Sequence, residues 1–178
     1  MIKSIGMRKI ILGVAVSLDG FIEGSKGEYD WCFTDQDYGM SSFMQRIDAI
    51  FYGRKSYEVM IKHVANSGGN PFAGKENYVF STTLTQVDGA HLIDGDIDKK
   101  VNQIKQDAGK DIWLFGGAAL TASLMNAGLV DELSLAVHPI ILGSGKPLFQ
   151  GIKRRIRTKL VDTKTYSTGL VSLQYRIE

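Results

Sequence analysis

The amino-acid sequence predicts an α/β fold of three layers: a central mixed sheet, helices on both of its faces, and a C-terminal β hairpin. Three observations lead there. Short apolar, β-branched runs alternate with helix-length amphipathic segments as far as residue 130, the pattern of strands joined by helical crossovers. Beyond that point strand patterns follow one another, and the last two are separated only by Ser167-Thr168-Gly169. No linker interrupts the 178 residues, so one domain over residues 1–178 is expected, long enough for a sizeable core.

The elements follow in order. Residues 10–16 are apolar on both faces apart from Gly13, which suits a strand buried on both sides. Asp19-Gly20 reads as a tight turn, and Phe21-Ile22 as a short strand. Thr34 and Asp35 are suitable N-caps for a helix reaching about Arg46, with Phe43, Met44 and Ile47 on its apolar face. Residues 49–52 form a short buried strand, and residues 55–63 a second helix. The loop at 66–74 is rich in Gly, Asn and Pro. Residues 78–80 and 91–93 are strands. Asp96 caps a third helix with Ile97, Val101, Ile104 and Ala108 on one side, and Gly109 suits its end. Residues 111–115 are a strand, and Gly116-Gly117 opens a fourth helix that Gly128 stops. Residues 132–139 alternate as a strand, and 159–166 pairs with 170–177 as the hairpin.

Composition removes several classes of function. Hydrophobic residues make up 44% and charged residues 22%, with 21 Lys and Arg against 19 Asp and Glu. A net charge of +2 is too even for a dedicated nucleic-acid binder. The basic run Lys153, Arg154, Arg155, Arg157, Lys159 reads as a charged, protected edge. Cys32 is the only cysteine, so neither an intrachain disulfide nor a Cys-based zinc site is expected, and a reducing cytoplasm fits. Residues 1–8 lack the apolar core of a signal peptide, and the apolar run at 10–18 is too short to cross a bilayer. Neither a membrane nor a nucleic-acid partner is expected, and no metal.

Three strand-to-turn junctions carry the chemistry, because ligands of open α/β sheets gather at the carboxyl ends of strands. The first is Gly53-Arg54-Lys55-Ser56. The helix N-terminus and Arg54 suit a phosphate, although a solvated helix start with two basic residues explains the same spacing. The second is Ser81-Thr82-Thr83, whose hydroxyls either bind phosphate or cap a turn. The third is Gly116-Gly117-Ala118-Ala119, a seat for pyrophosphate or simply a closely packed turn. No strand precedes a Gly-x-Gly-x-x-Gly, so the ordinary dinucleotide fingerprint is missing. Residues 69–75 spell most of a phosphate loop, but Glu76 stands where magnesium would need a hydroxyl, and a mobile surface loop is expected there. His63, His91 and His138 are far apart in sequence, and no nucleophile with a histidine base emerges. That absence is compatible with hydride transfer, in which a cofactor supplies the chemistry.

Together and in this order the junctions resemble the dihydrofolate-reductase-like superfamily. Ser17-Leu18-Asp19-Gly20, within residues 11–22, and His138-Pro139-Ile140-Ile141-Leu142-Gly143-Ser144-Gly145-Lys146-Pro147 are similar to the reductase domain of riboflavin biosynthesis. The resemblance covers residues 8–177. It implies a reductase using NADPH on a small heterocyclic substrate, commonly as a homodimer. Gly53, Arg54, Lys55 and Ser56 match the family's phosphate-contacting motif; Ser81 and Thr82 match its adenosine-phosphate strand end. Gly116, Gly117, Ala118 and Ala119 match its pyrophosphate turn, and Val14, Ala15 and Val16 the strand beside the nicotinamide. On the substrate side Asp30-Trp31 stands where folate reductases carry Pro-Trp. Trp31, Asp35 and Asp37 are the resulting substrate candidates. Asp35 is the better helix cap, so Asp37 is the preferred acidic ligand. Asp19 is a second catalytic candidate, with a plain turn aspartate as its other reading.

Overall fold

The computed structural model describes residues 7–67 and 69–178. Most of the expectation for residues 1–8 therefore lies outside the described residues. The chain runs β1 (Ile10–Ser17), β2 (Phe21–Glu23), α1 (Met40–Arg46), β3 (Ile47–Gly53), α2 (Arg54–Ser67), β4 (Glu76–Phe80), β5 (His91–Ile93) and α3 (Ile97–Gln106). It continues through β6 (Asp111–Gly116), α4 (Ala118–Asn126), β7 (Glu132–His138), β8 (Lys146–Pro147), β9 (Thr158–Thr165) and β10 (Val171–Ile177).

Eight strands form one sheet in the order β5-β4-β3-β6-β1-β7-β10-β9. The first six run parallel, while β10 is antiparallel to both β7 and β9. The expected mixed sheet and C-terminal hairpin are both present. β2 and β8 make a separate antiparallel pair.

Alternation along the parallel strands divides the core between the two faces. Ile10, Leu12, Ala49, Phe51, Ile112 and Leu114 pack towards Val101, Ile104, Leu120 and Leu124 of α3 and α4. Ile50, Tyr52 and Trp113 pack towards Tyr57 and Met60 of α2 and Phe43 of α1. This is the three-layer arrangement expected from the alternating pattern.

Some boundaries differ from the expectation. α1 begins at Met40, not near Asp35. Tyr38 and Gly39 both have positive φ (49° and 85°), so a right-handed helix cannot run back through them. Asp35 accepts a hydrogen bond from the Tyr38 hydroxyl at 2.6 Å. α2 is longer than the expected 55–63. α3 stops at Asp107, where the backbone turns extended, two residues before Gly109. In the basic run only Lys159 falls in a strand, the edge strand β9. The loop expected to be mobile at 69–75 sends Phe72 inward against Trp113 and Phe115, with ring centroids 5.4 and 6.0 Å away. Lys75 closes the same loop, donating to the carbonyls of Met44 and Ile47 at 2.7 Å each.

Candidate functional site

β1 lies at the centre of the sheet, flanked by β6 and β7. Its burial is complete from Ile10 to Leu12 and relaxes at Gly13, Val14 and Ala15. There the sheet opens into a cleft of about 1650 Å³ that crosses the carboxyl ends of β3, β4 and β6. Gly13, Val14, Ala15, Gly53, Ser81 and Gly116 line it. Val16 turns away and is almost fully buried in the core.

The close approach of β1 to β6 explains Gly13. The Trp113 indole N–H donates to the Gly13 carbonyl at 2.8 Å. A Cβ on Gly13 would lie 2.7 Å from that indole nitrogen and 3.0 Å from the Phe43 ring. Trp113 is itself held edge-on between Phe43 and Phe72, with centroids 5.3 and 5.4 Å away, so it has little room to retreat.

Two helices open onto the cleft. α4 starts directly after Gly117, with no side-chain cap and no acid in its first turn. α2 likewise has no acid in its first turn. The uncapped N–H groups of α4 and the positive dipole end of each helix suit an anion. The two turns face each other: a Cβ on Gly53 would sit 3.6 Å from the Gly116 carbonyl and the Gly117 nitrogen, and one on Gly117 would sit 3.3 Å from the Ser56 hydroxyl. Gly116 has φ of 117°, which a residue with a side chain resists, and the Gly116–Gly117 peptide is cis. Arg54, Lys55, Ala118 and Ala119 are also in the cleft wall. Arg54 pairs with Glu58 one turn along, at 2.8 Å. At the end of β4, the Ser81 hydroxyl accepts from the N–H groups of Thr83 and Leu84 at 3.2 and 3.1 Å. Thr82 projects beside it into the cleft. A small backbone cradle with one guanidinium and several hydroxyls fits the phosphates of a dinucleotide.

The substrate-side candidates separate. Asp37 lines the cleft. Its Oδ1 accepts from the Ser41 N–H at 2.9 Å and the Ser41 hydroxyl at 2.6 Å, and its Oδ2 from the Gly39 N–H at 3.1 Å. The Ser41 hydroxyl is the main cause holding the Asp37 pKa below the usual carboxylate value. Trp31 and Asp35 belong to the same loop but are not in the cleft wall. Trp31 packs edge-on against His138, centroids 5.3 Å apart, and its indole nitrogen is buried without a partner among the described residues. Asp19 also lies outside the wall. It receives the Ser17 hydroxyl at 2.7 Å and the N–H groups of Leu142 and Gly143 at 3.1 and 2.8 Å. These bonds, Ser17 foremost, lower its pKa. The Ser-Leu-Asp-Gly turn thereby holds the Leu142-Gly143 segment.

Other cleft residues did not stand out in the sequence. Strand register aligns Gly13, Ser134, Gln174 and Asp162 in one row across β1, β7, β10 and β9, and Ala15, Ala136, Ser172 and Lys164 in the next. All eight face the cleft, so the sheet's uncovered half gives it a polar floor. The small and polar residues at alternate positions of β7, Ser134 and Ala136, were the available signal. His138 continues that alternation and is 3% exposed. Among the described residues no three His, Cys, Asp or Glu side chains converge as metal ligands.

The comparisons with known proteins follow from this geometry. The family model of the RibD C-terminal domain matches residues 8–172. The chain belongs to that family. It is 45% identical to the uncharacterized protein YyaP of Bacillus subtilis (strain 168), with 98% of each chain covered. A Shewanella sp. PV-4 protein named for riboflavin biosynthesis has the same fold: TM-score 0.84, 23% identity, 96% of this chain and 99% of that one covered. The fold extends to dihydrofolate reductase of Enterococcus faecalis solved with NADP(H), at TM-score 0.67, 17% identity and 98% of both chains. RibD C-terminal domains are the reductase part of their parent protein, which makes this family one of oxidoreductases. No described helix is long and apolar enough to cross a membrane.

Proposed function

We propose that this RibD C-terminal family member is a single-domain, NADPH-dependent reductase of a pterin- or pyrimidine-like heterocycle, acting in the cytoplasm as a homodimer. One observation carries the reading: two acid-free helix N-termini, at Gly53-Arg54 and Gly117-Ala118, open onto one cleft beside the loosened half of β1.

When bound, NADPH supplies the hydride. Arg54, Lys55 and Ser56 hold phosphate at the start of α2, and Ser81 and Thr82 the phosphate on the adenosine side. Gly116, Gly117, Ala118 and Ala119 offer backbone N–H groups to the pyrophosphate. A 2′-phosphate needs a cation and hydroxyl donors, which Arg54 and the β4 end provide. Val14 and Ala15 give an apolar wall beside the ring and keep water from it. Asp37 is the acid available to the heterocycle's N–H edge. Like any exposed carboxylate it is ionised at neutral pH, and Ser41 lowers its pKa further; it therefore accepts hydrogen bonds, and solvent delivers the proton. Closure of the loop at 23–30 excludes water from the site. That loop has a firm root: Lys146 bonds Glu23 at 2.5 Å, and Gly145 packs so closely on the Glu23 carbonyl that a Cβ would fall 2.2 Å from it.

The decisive assay is NADPH titration, followed by loss of nicotinamide absorbance with dihydrofolate and with 5-amino-6-(5-phosphoribosylamino)uracil in turn. Oxidation with either substrate supports the reading and chooses the branch. Absence of NADPH binding removes the basis for the roles given to Gly53, Arg54, Ser81 and Gly116-Gly117. A second reading, a non-catalytic NADP(H)-binding module, is favoured by one observation: Asp37 is already engaged by Ser41 and Gly39. Tight NADPH binding without oxidation across the panel supports it.

A further inference from the structure

The segment at 31–33 lies beside the substrate half of the cleft, between the 23–30 loop and Asp37. It belongs to no helix or strand, so its position depends on what it touches. Besides the local bond from the Cys32 N–H to the Tyr29 carbonyl at 3.1 Å and the Phe33–Tyr38 ring contact, it touches His138, the last residue of β7 and 105 positions from Phe33 in sequence. His138 sits in register with Ser17 at the end of β1. Its Nε2 accepts the backbone N–H of Phe33 at 3.1 Å. Its Nδ1 lies 3.0 Å from the Ala136 carbonyl, which can only accept, so Nδ1 carries the proton. The Trp31 and Phe33 rings meet the imidazole edge-on at centroid distances of 5.3 and 5.1 Å.

Both ring nitrogens are therefore committed, and only the neutral Nδ1–H tautomer satisfies both bonds. Protonation of Nε2 would turn an acceptor into a donor pointing at another donor. The ionisable side chains around the ring are Asp30 and Cys32 flanking Trp31, Tyr38 against Phe33, Asp19 beyond Ser17, and Lys164 beyond Tyr166. None of them bonds to the imidazole. Burial, not a nearby charge, holds its pKa below the ordinary histidine value.

We propose that His138 is a positioning residue for the reductase described above: its neutral ring pins the Trp31–Phe33 segment over the substrate side of the cleft. The proposal rests on the reductase reading for its kinetic consequence, and on geometry alone for the latch. As pH falls below about 6.5 and through the lowered pKa of the folded state, the imidazole charges, the Phe33 bond breaks and the segment is released. At neutral pH the latch is closed.

The test uses the full chain as wild type, His138→Phe and His138→Gln. Glutamine keeps an uncharged acceptor of similar reach and cannot titrate in this range. The first readout is the exchange protection of the Phe33 amide, measured by NMR. It should fall about tenfold in His138→Phe, in line with loss of one buried hydrogen bond. It should persist in His138→Gln at both pH 7.5 and pH 5, and wild type should lose it on acidification. The second readout is kinetic, with whichever of dihydrofolate or the ribosylamino-pyrimidine phosphate wild type reduces. His138→Phe should lose about tenfold or more in kcat/KM for the heterocycle with NADPH affinity unchanged, and His138→Gln should recover most of it and flatten the acid limb. Unchanged Phe33 protection in His138→Phe overturns the latch. Lost protection with unaltered kinetics overturns the positioning role alone. Failure of wild type to reduce either substrate at the expense of NADPH overturns the reductase reading, and the kinetic role with it. Should His138→Phe fail to fold, the pH dependence of Phe33 protection in wild type against His138→Gln decides the same question.

Discussion

Asp37 combines two demands that a single carboxylate meets only in part. It organises the entry to α1 through Ser41 and Gly39, and it is the acid proposed above for a substrate's N–H edge. Asp37→Asn keeps an oxygen for Ser41 but removes the charge. Turnover is expected to fall at least about tenfold, the worth of a charge-assisted hydrogen bond, while the NADPH dissociation constant stays the same; equal kinetics with wild type would remove Asp37 from the substrate side. Cys32 offers an independent check on the same loop. Burial, with Asp30 nearby, pushes its thiol up to about 11. At pH 8 only about one molecule in a thousand carries the reactive thiolate, so alkylation should be slow and its rate should keep rising through pH 10. A plateau near pH 8 would show that the loop exposes the thiol. Neither residue's environment was legible in the sequence. Spacing made Asp35 the better cap, but Asp37 is the one that accepts the Ser41 N–H at the start of α1, because Tyr38 and Gly39 at positive φ move that start to Met40. His138 was still harder to read, because its partner Phe33 is 105 residues away and the contact is to a backbone N–H, which no side-chain pattern reports.

Among the elements, β1 and the turn after β6 are the least tolerant of change. Gly13→Ala forces a methyl towards a Trp113 ring that Phe43 and Phe72 already enclose. It should cost about 1–3 kcal/mol, the usual penalty of overpacking, seen as a lower denaturant midpoint with an unchanged slope. Gly116→Ala has open space for its methyl but must adopt φ of 117°. Its effect should therefore appear as backbone strain of about 1–3 kcal/mol and as weaker NADPH binding. Retention of both stability and affinity would show that this turn is not a cofactor seat. The strands other than the two-residue β8, and α2, α3 and α4, were readable because apolar spacing and glycine punctuation carry local information. α1 was displaced by several residues because tertiary bonds hold the preceding loop. The inward turn of Phe72 was hidden for the same reason: a Gly- and Pro-rich composition describes a loop's backbone and says nothing about where one aromatic side chain packs.

For the whole molecule, the sheet's two edges are unlike. β5 has three residues, whereas β9 has eight, all exposed, and carries Leu160 and Val161 at 48% and 63% exposure. A long edge strand with apolar side chains invites a partner, and the proposed homodimer accounts for it. Sedimentation should give twice 19.6 kDa, and Leu160→Lys with Val161→Lys should yield a monomer; a monomeric wild type would sink the dimer proposal. The order of the strands also governs how the chain can come into being. Among the described strands β1 is synthesised first and is the most apolar, yet both of its neighbours come from β6 and β7, about a hundred residues later. During synthesis its ladder groups have no native partner until β6 has appeared, and its second side stays open until β7 follows. A nascent chain of this design spends most of its elongation with its central strand exposed, which ties successful biogenesis to whatever shields that strand in the interval.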